Sequence, residues 1–96
     1  MDLLVTYDVC TLTKEGRVRL RRVAKACEGF GQRVQESVFE CSVTDVQKEV
    51  LMTRLKKIIA PTEDSLRVYV LRGGRGDCVE TVGLDRYISF RDALIL

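Results

Sequence analysis

Asp8 is the residue of this sequence best placed to do chemistry. It closes the run Leu3-Leu4-Val5-Thr6-Tyr7-Asp8-Val9 and sets a carboxylate where an apolar strand runs out. The chain contains no histidine, so hydrolytic mechanisms that use an imidazole base within the chain are excluded. The natural substitute is a water activated by a hard divalent cation. Magnesium keeps several waters and needs only one or two protein carboxylates when substrate phosphates complete its shell. One Asp8 per subunit is a thin site, whereas two brought together by a twofold axis would be a credible one. The alternative role for Asp8 is to cap the turn or helix that follows, which is the commoner use of a carboxylate at such a position.

The residues that follow Asp8 are basic. Residues 14 to 33 hold seven Lys or Arg against two Glu, although the whole chain of 96 residues carries a net charge of only +2. Lys14, Arg17, Arg19, Arg21, Arg22 and Lys25 therefore form a candidate nucleic-acid-binding surface that begins within one loop of Asp8. Contacts of this kind hold phosphates and carry no sequence information. The plainer reading is a solvated helix face.

Other chemistries are poorly supported. Cys10, Cys27, Cys41 and Cys78 match neither a CxxC pair nor a structural zinc site, and are expected to be reduced thiols packed as small hydrophobes. The turn at Gly73-Gly74-Arg75-Gly76-Asp77 lacks both the Walker and the Rossmann spacing. The N-terminus does not resemble a signal peptide, and no apolar stretch approaches the roughly 20 residues needed to span a bilayer. A cytoplasmic protein with no membrane partner is expected.

The elements that must position these residues follow from periodicity. Leu3 to Val9 predicts a central strand. Leu20, Val23, Ala24, Cys27 and Phe30 recur at helical steps and predict a helix over 14–30, with Lys14, Arg21, Arg22 and Lys25 on its outer face. Val34 to Val43 reads as a second strand, and Thr44-Asp45-Val46-Gln47 as a capping box that opens a second helix ended by Pro61. Leu66 to Leu71 reads as a third strand and Cys78 to Val82 as a short fourth. The fold class assigned is α+β, a ferredoxin-like βαββαβ with a four-stranded antiparallel sheet and two helices on one face. Residues 1–82 form the core. Residues 83–96, which end Ala93-Leu94-Ile95-Leu96, are expected to add an edge strand to a partner in a homodimer, because a tail this apolar needs cover.

Tyr7-Asp8 at the end of the first strand, the Arg-rich stretch Arg19 to Lys25, the run Gly31-Gln32-Arg33-Val34-Gln35-Glu36-Ser37-Val38-Phe39-Glu40-Cys41, and Asp64-Ser65-Leu66-Arg67-Val68-Tyr69 together resemble one family over nearly the whole chain. It is the small CRISPR-associated adaptation endonuclease family, the lesser of the two universal Cas spacer-acquisition proteins. The resemblance implies a ferredoxin-like homodimer in which the two Asp8 face the dimer axis and share one Mg2+. It also implies a partnership with dimers of the larger Cas integrase, for which the small dimer holds double-stranded protospacer DNA. Members are further described as metal-dependent endonucleases, some cutting single-stranded RNA and others double-stranded DNA. Under this resemblance Asp8 is the catalytic and metal-binding residue, and the basic residues of the first helix are backbone contacts. A non-catalytic structural adaptor and a related ferredoxin-like toxin ribonuclease are the competing functions.

Overall fold

Alternation along the N-terminal run decides the layering. Leu3, Val5 and Tyr7 are buried, Leu4 and Thr6 are half-buried, and Asp8 is exposed. Strand β1 (Asp2–Asp8) thus has one covered face and one open face, since successive side chains point to opposite sides. The computed structural model describes residues 1–85 and 87. It places β1 inside a four-stranded antiparallel sheet of order β2-β3-β1-β4, with β2 at Gly31–Gln35, β3 at Val38–Ser42 and β4 at Ser65–Leu71.

Helices α1 (Lys14–Glu28) and α2 (Asp45–Ile58) supply Val23, Ala24, Cys27, Leu51 and Leu55 to the core over the covered face, where they meet Leu3, Val5 and Phe39. Leu51 and Leu55 are fully buried, each worth about 2 kcal/mol of transfer free energy. The expected capping box is present: Thr44 Oγ1 accepts from the Gln47 N–H at 3.1 Å and Gln47 Oε1 accepts from the Thr44 N–H at 2.9 Å. Burial pushes the thiols of Cys27 and Cys41 up to about 12 and about 11, so these two are packed as apolar groups. Cys78, by contrast, is exposed, and Cys10 is half-buried.

The order βαββαβ holds, but its strands are distributed differently from the sequence reading. Residues 34–43 are not one strand. Glu36 and Ser37 turn the chain between β2 and β3, and the register shifts between Arg33 and Gln35. The turn has no Asn-Gly pair, and among the described residues no non-glycine takes the positive φ of a tight two-residue hairpin, so it relies on the irregularity beside it. Cys78 to Val82 is not a strand either. Arg75–Cys78 forms a short helical turn, α3, and residues 79–82 are irregular.

The cause lies just upstream. Gly73 and Gly74, at φ +82° and +86°, turn the chain in a way that L side chains resist. The Arg75 N–H then donates to Asp2 Oδ2 at 2.8 Å, and its guanidinium pairs with Glu40 and, at 3.2 Å, with Asp85. The same guanidinium lies 3.7 Å from the Tyr87 ring centroid. Asp2, Leu4 and Glu40 share the open face by register. The segment is therefore caught over the Asp2 end of that face instead of returning along β4. The expected C-terminal strand falls on residues 83–96, of which 86 and 88–96 lie outside the described residues.

Gly16 fixes how α1 sits on the loop that leads into it. A Cβ at this position would lie 1.8 Å from the carbonyl oxygen of Cys10. Gly16→Ala must push helix and loop apart, and it is expected to lower stability by about 1–3 kcal/mol, read as a lower urea midpoint at unchanged slope.

Candidate active site

Asp8 lies on the open face at the end of β1, opposite Ser65 of β4 and on the same side as Thr6 and Leu4. Its carboxylate is exposed and makes no hydrogen bond or ion pair with any described residue. The capping role is excluded by what the neighbouring donors do. Thr13 caps α1, its Oγ1 accepting from the Gly16 N–H at 3.1 Å, and the Cys10 N–H donates to Asp64. Asp8 is left with a carboxylate that no described residue engages.

Asp64 is the group that the sequence reading missed as part of the site. Its side chain has no solvent exposure. Oδ1 accepts from the Cys10 N–H at 3.1 Å, and Oδ2 accepts from the Ala60 N–H and from Arg19 Nε, both at 2.8 Å. Arg19 Nη2 reaches Glu63 at 3.1 Å and Asp64 Oδ1 at 3.3 Å. Burial opposes the charge on Asp64, but the Arg19 guanidinium and the backbone N–H groups of Ala60 and Cys10 outweigh it and hold the carboxyl below its ordinary value. An aspartate between Glu63 and Ser65 carries no local signal of this role, because its partners lie up to 54 residues away in the chain.

The basic residues separate into two groups. Lys14, Arg17, Arg21, Arg22 and Lys25 are exposed along the outer surface of α1 and are arranged as a stripe at helical spacing. Arg19 differs: it was grouped with the nucleic-acid contacts, yet its side chain is only 15% exposed and its guanidinium is committed to Asp64 and Glu63. It turns inward because it sits on the flank of α1 that faces the start of β4.

A concavity of about 390 Å³ between α1 and the β2–β3 hairpin adds Arg33 and Tyr7 to Arg21 and Lys25. The Arg33 guanidinium lies 5.2 Å from the centroid of Phe39, whose ring stacks with that of Tyr7 at 6.2 Å. The Tyr7 O–H donates to the Glu36 carbonyl at 3.4 Å, and burial raises its pKa while Arg33 opposes the rise. Tyr7 and Phe39 are both core residues. Arg33 could have been found as the last member of the basic stretch.

The family model described as CRISPR associated protein Cas2 matches residues 1–76. This chain belongs to the Cas2 family. Among curated relatives, CRISPR-associated endoribonuclease Cas2 1 of Moorella thermoacetica is 48% identical over 96 residues, covering all of both chains. CRISPR-associated endonuclease Cas2 of Halalkalibacterium halodurans is 46% identical over 95 residues, covering 99% of each. Among solved structures, Streptococcus pyogenes Cas2 at pH 6.5 superposes with a TM-score of 0.77 at 53% identity, over 86% of this chain and 100% of that one. A hypothetical protein from Thermus thermophilus, TT1823, gives a TM-score of 0.73 at 29% identity, over 90% and 94% of the two chains. The two curated names differ on whether RNA is specified while the identities are nearly equal, so likeness to Cas2 relatives does not select a substrate.

The donor set among the described residues of this chain is too small to enclose a metal. Among the described residues, no group of three or more Cys, Asp or Glu could hold an ion. Asp8 offers a single hard oxygen ligand, which fits magnesium only where waters, substrate phosphates or a second carboxylate supply the remainder. The open face around it is not a finished surface for a Cas2 monomer. Leu4 and Val38 are half-buried there, and Tyr69 is 44% exposed. No helix among the described residues is long and apolar enough to cross a membrane.

Proposed function

We propose that two copies of this Cas2-family chain meet through the open sheet face, that their Asp8 carboxylates share one Mg2+, and that the dimer is a metal-dependent endonuclease acting on RNA or double-stranded DNA. The observation that carries this reading is the exposed carboxylate of Asp8, without a hydrogen-bond or ion-pair partner among the described residues, on the sheet face opposite the helices. Once bound, the ion would supply Lewis acidity toward the phosphodiester. The chain itself does the rest. The end of β1 presents the carboxylate on the open face, and Lys14, Arg17, Arg21, Arg22 and Lys25 hold flanking phosphates along α1, on the other side of the sheet. Arg33 extends the cationic surface toward the hairpin. The test is a cleavage panel of single- and double-stranded RNA and DNA with magnesium or with EDTA. Cleavage is expected with magnesium and none with EDTA, and cleavage that persists in EDTA would overturn metal dependence.

The exposed cationic stripe on α1 favours a second role for the same dimer. We infer that it holds protospacer duplex for the larger Cas integrase, through backbone contacts that need no base readout. Residues 83–96 supply the docking strand in this reading. Removing everything after Gly83 is expected to abolish assembly with the integrase and spacer integration while the core stays folded. Assembly of the truncated chain, measured by co-elution, would sink the docking role.

A further inference from the structure

We propose that Asp64 is a positioning residue for Asp8, a role that rests on the reading of Asp8 as the functional carboxylate. Asp64 meets the Asp8 segment from two directions. The next residue, Ser65, is the cross-strand partner of Asp8, and Asp64 Oδ1 accepts the N–H of Cys10, two residues beyond Asp8. The strand end that carries Asp8 is thus held at Asp8 and again at Cys10 by one short stretch of chain.

That stretch is itself fixed. The Ala60 carbonyl accepts from the N–H groups of Glu63 and Asp64 at 2.9 and 2.8 Å, and the Ala60 N–H returns a bond to Asp64 Oδ2. Arg19 Nε and Nη2 then tie the same carboxylate to α1. Four donors converge on two oxygens of a fully buried side chain. The loop from Val9 to Thr13 cannot shift without breaking this set, because Gly16 already packs against the Cys10 carbonyl from the other side. Asp64 therefore sets both the direction of the Asp8 carboxylate and the origin of the cationic stripe.

Asp64→Asn preserves shape but replaces one acceptor oxygen with an NH2 donor, so at least one of the four donors is left facing another. The comparison is with Val43→Ala, a core substitution away from the site that also costs stability, with Asp8→Asn as the reference for lost function. Two quantities are read with Mg2+ present and each protein verified as folded: steady-state cleavage of labelled RNA and double-stranded DNA oligonucleotides, and hydrogen exchange at the Cys10 amide. Asp64→Asn is expected to lower kcat about 10- to 100-fold, the usual effect of removing groups that orient metal ligands, with KM within about threefold of wild type. Its Cys10 amide should exchange at least about tenfold faster, while Val43→Ala retains kcat.

Equal kcat for Asp64→Asn and Val43→Ala, beside an inactive Asp8→Asn, overturns the positioning role alone. Wild-type cleavage by Asp8→Asn overturns the reading of Asp8 as the functional carboxylate, and this role with it. If Asp64→Asn does not fold, Arg19→Lys takes its place, since it keeps the charge and loses the fork. It is expected to lower kcat by a smaller factor with KM again unchanged, and wild-type kcat in that variant is the overturning result.

Discussion

Asp8→Asn is expected to lower magnesium-dependent cleavage by about 10³-fold or more, in line with removing the main charge-stabilising group of a phosphoryl-transfer site. The substitution keeps the size of the side chain and removes the negative charge that a hard cation requires. Nothing in the fold depends on that charge. The Asp8 carboxylate is exposed, makes no hydrogen bond or ion pair with a described residue, and caps no helix. Melting temperature and elution volume should therefore match the wild type in EDTA, which separates a lost ligand from a lost fold. Unchanged cleavage by a folded Asp8→Asn would remove Asp8 as the ligand and place the cleavage elsewhere than on this carboxylate. The same variant discriminates between the two roles directly, because spacer integration should survive it if holding DNA is independent of cutting it.

Asp64→Ala should produce the largest loss of stability of any single substitution near the site, about 3–5 kcal/mol, the range for removing one partner of a buried ion pair. The loss comprises the Arg19 pair and two backbone N–H groups, those of Cys10 and Ala60, that no longer have an acceptor. Its pH dependence has a definite sign. The carboxyl is held below its ordinary value of 3.8 in the folded protein, so its contribution is fully present above that value and is lost as pH falls through the lower folded value. Wild type should therefore lose stability steeply in acid below about pH 4, and Asp64→Ala should show a flatter acid limb from a lower plateau. Urea unfolding at a series of pH values measures both. An acid limb as steep in the variant as in wild type would assign the acid sensitivity to other carboxylates.

The periodic elements were legible in the sequence because each has its own local signal. The stripe of Leu20, Val23, Ala24 and Cys27 specified α1, and Thr44 with Gln47 specified the start of α2. The division of residues 34–43 was not legible, since Glu36 and Ser37 carry no glycine, asparagine or proline to mark a turn. Alternation carried straight through it. Glycine did mark the turn at Gly73 and Gly74, but the direction the chain takes afterwards is set by Arg75 meeting Asp2 and Glu40, 73 and 35 residues away. For the site, type and position were enough to find Asp8 and the cationic stripe. They could not separate Arg19 from its neighbours, because helical spacing alone does not reveal that Asp64 waits on that flank.

The open sheet face has two unequal ends. Arg75, Glu40 and Asp85 close the Asp2 end with the chain's own residues, so the proposed second copy would meet the face at its other end, where Asp8 is exposed. In a contact of that kind each residue on the axis faces its own duplicate. One codon then specifies both ligands of the proposed ion. A mutation at Asp8 removes them together in a pure population, and only a mixture of two alleles could populate a half-liganded dimer.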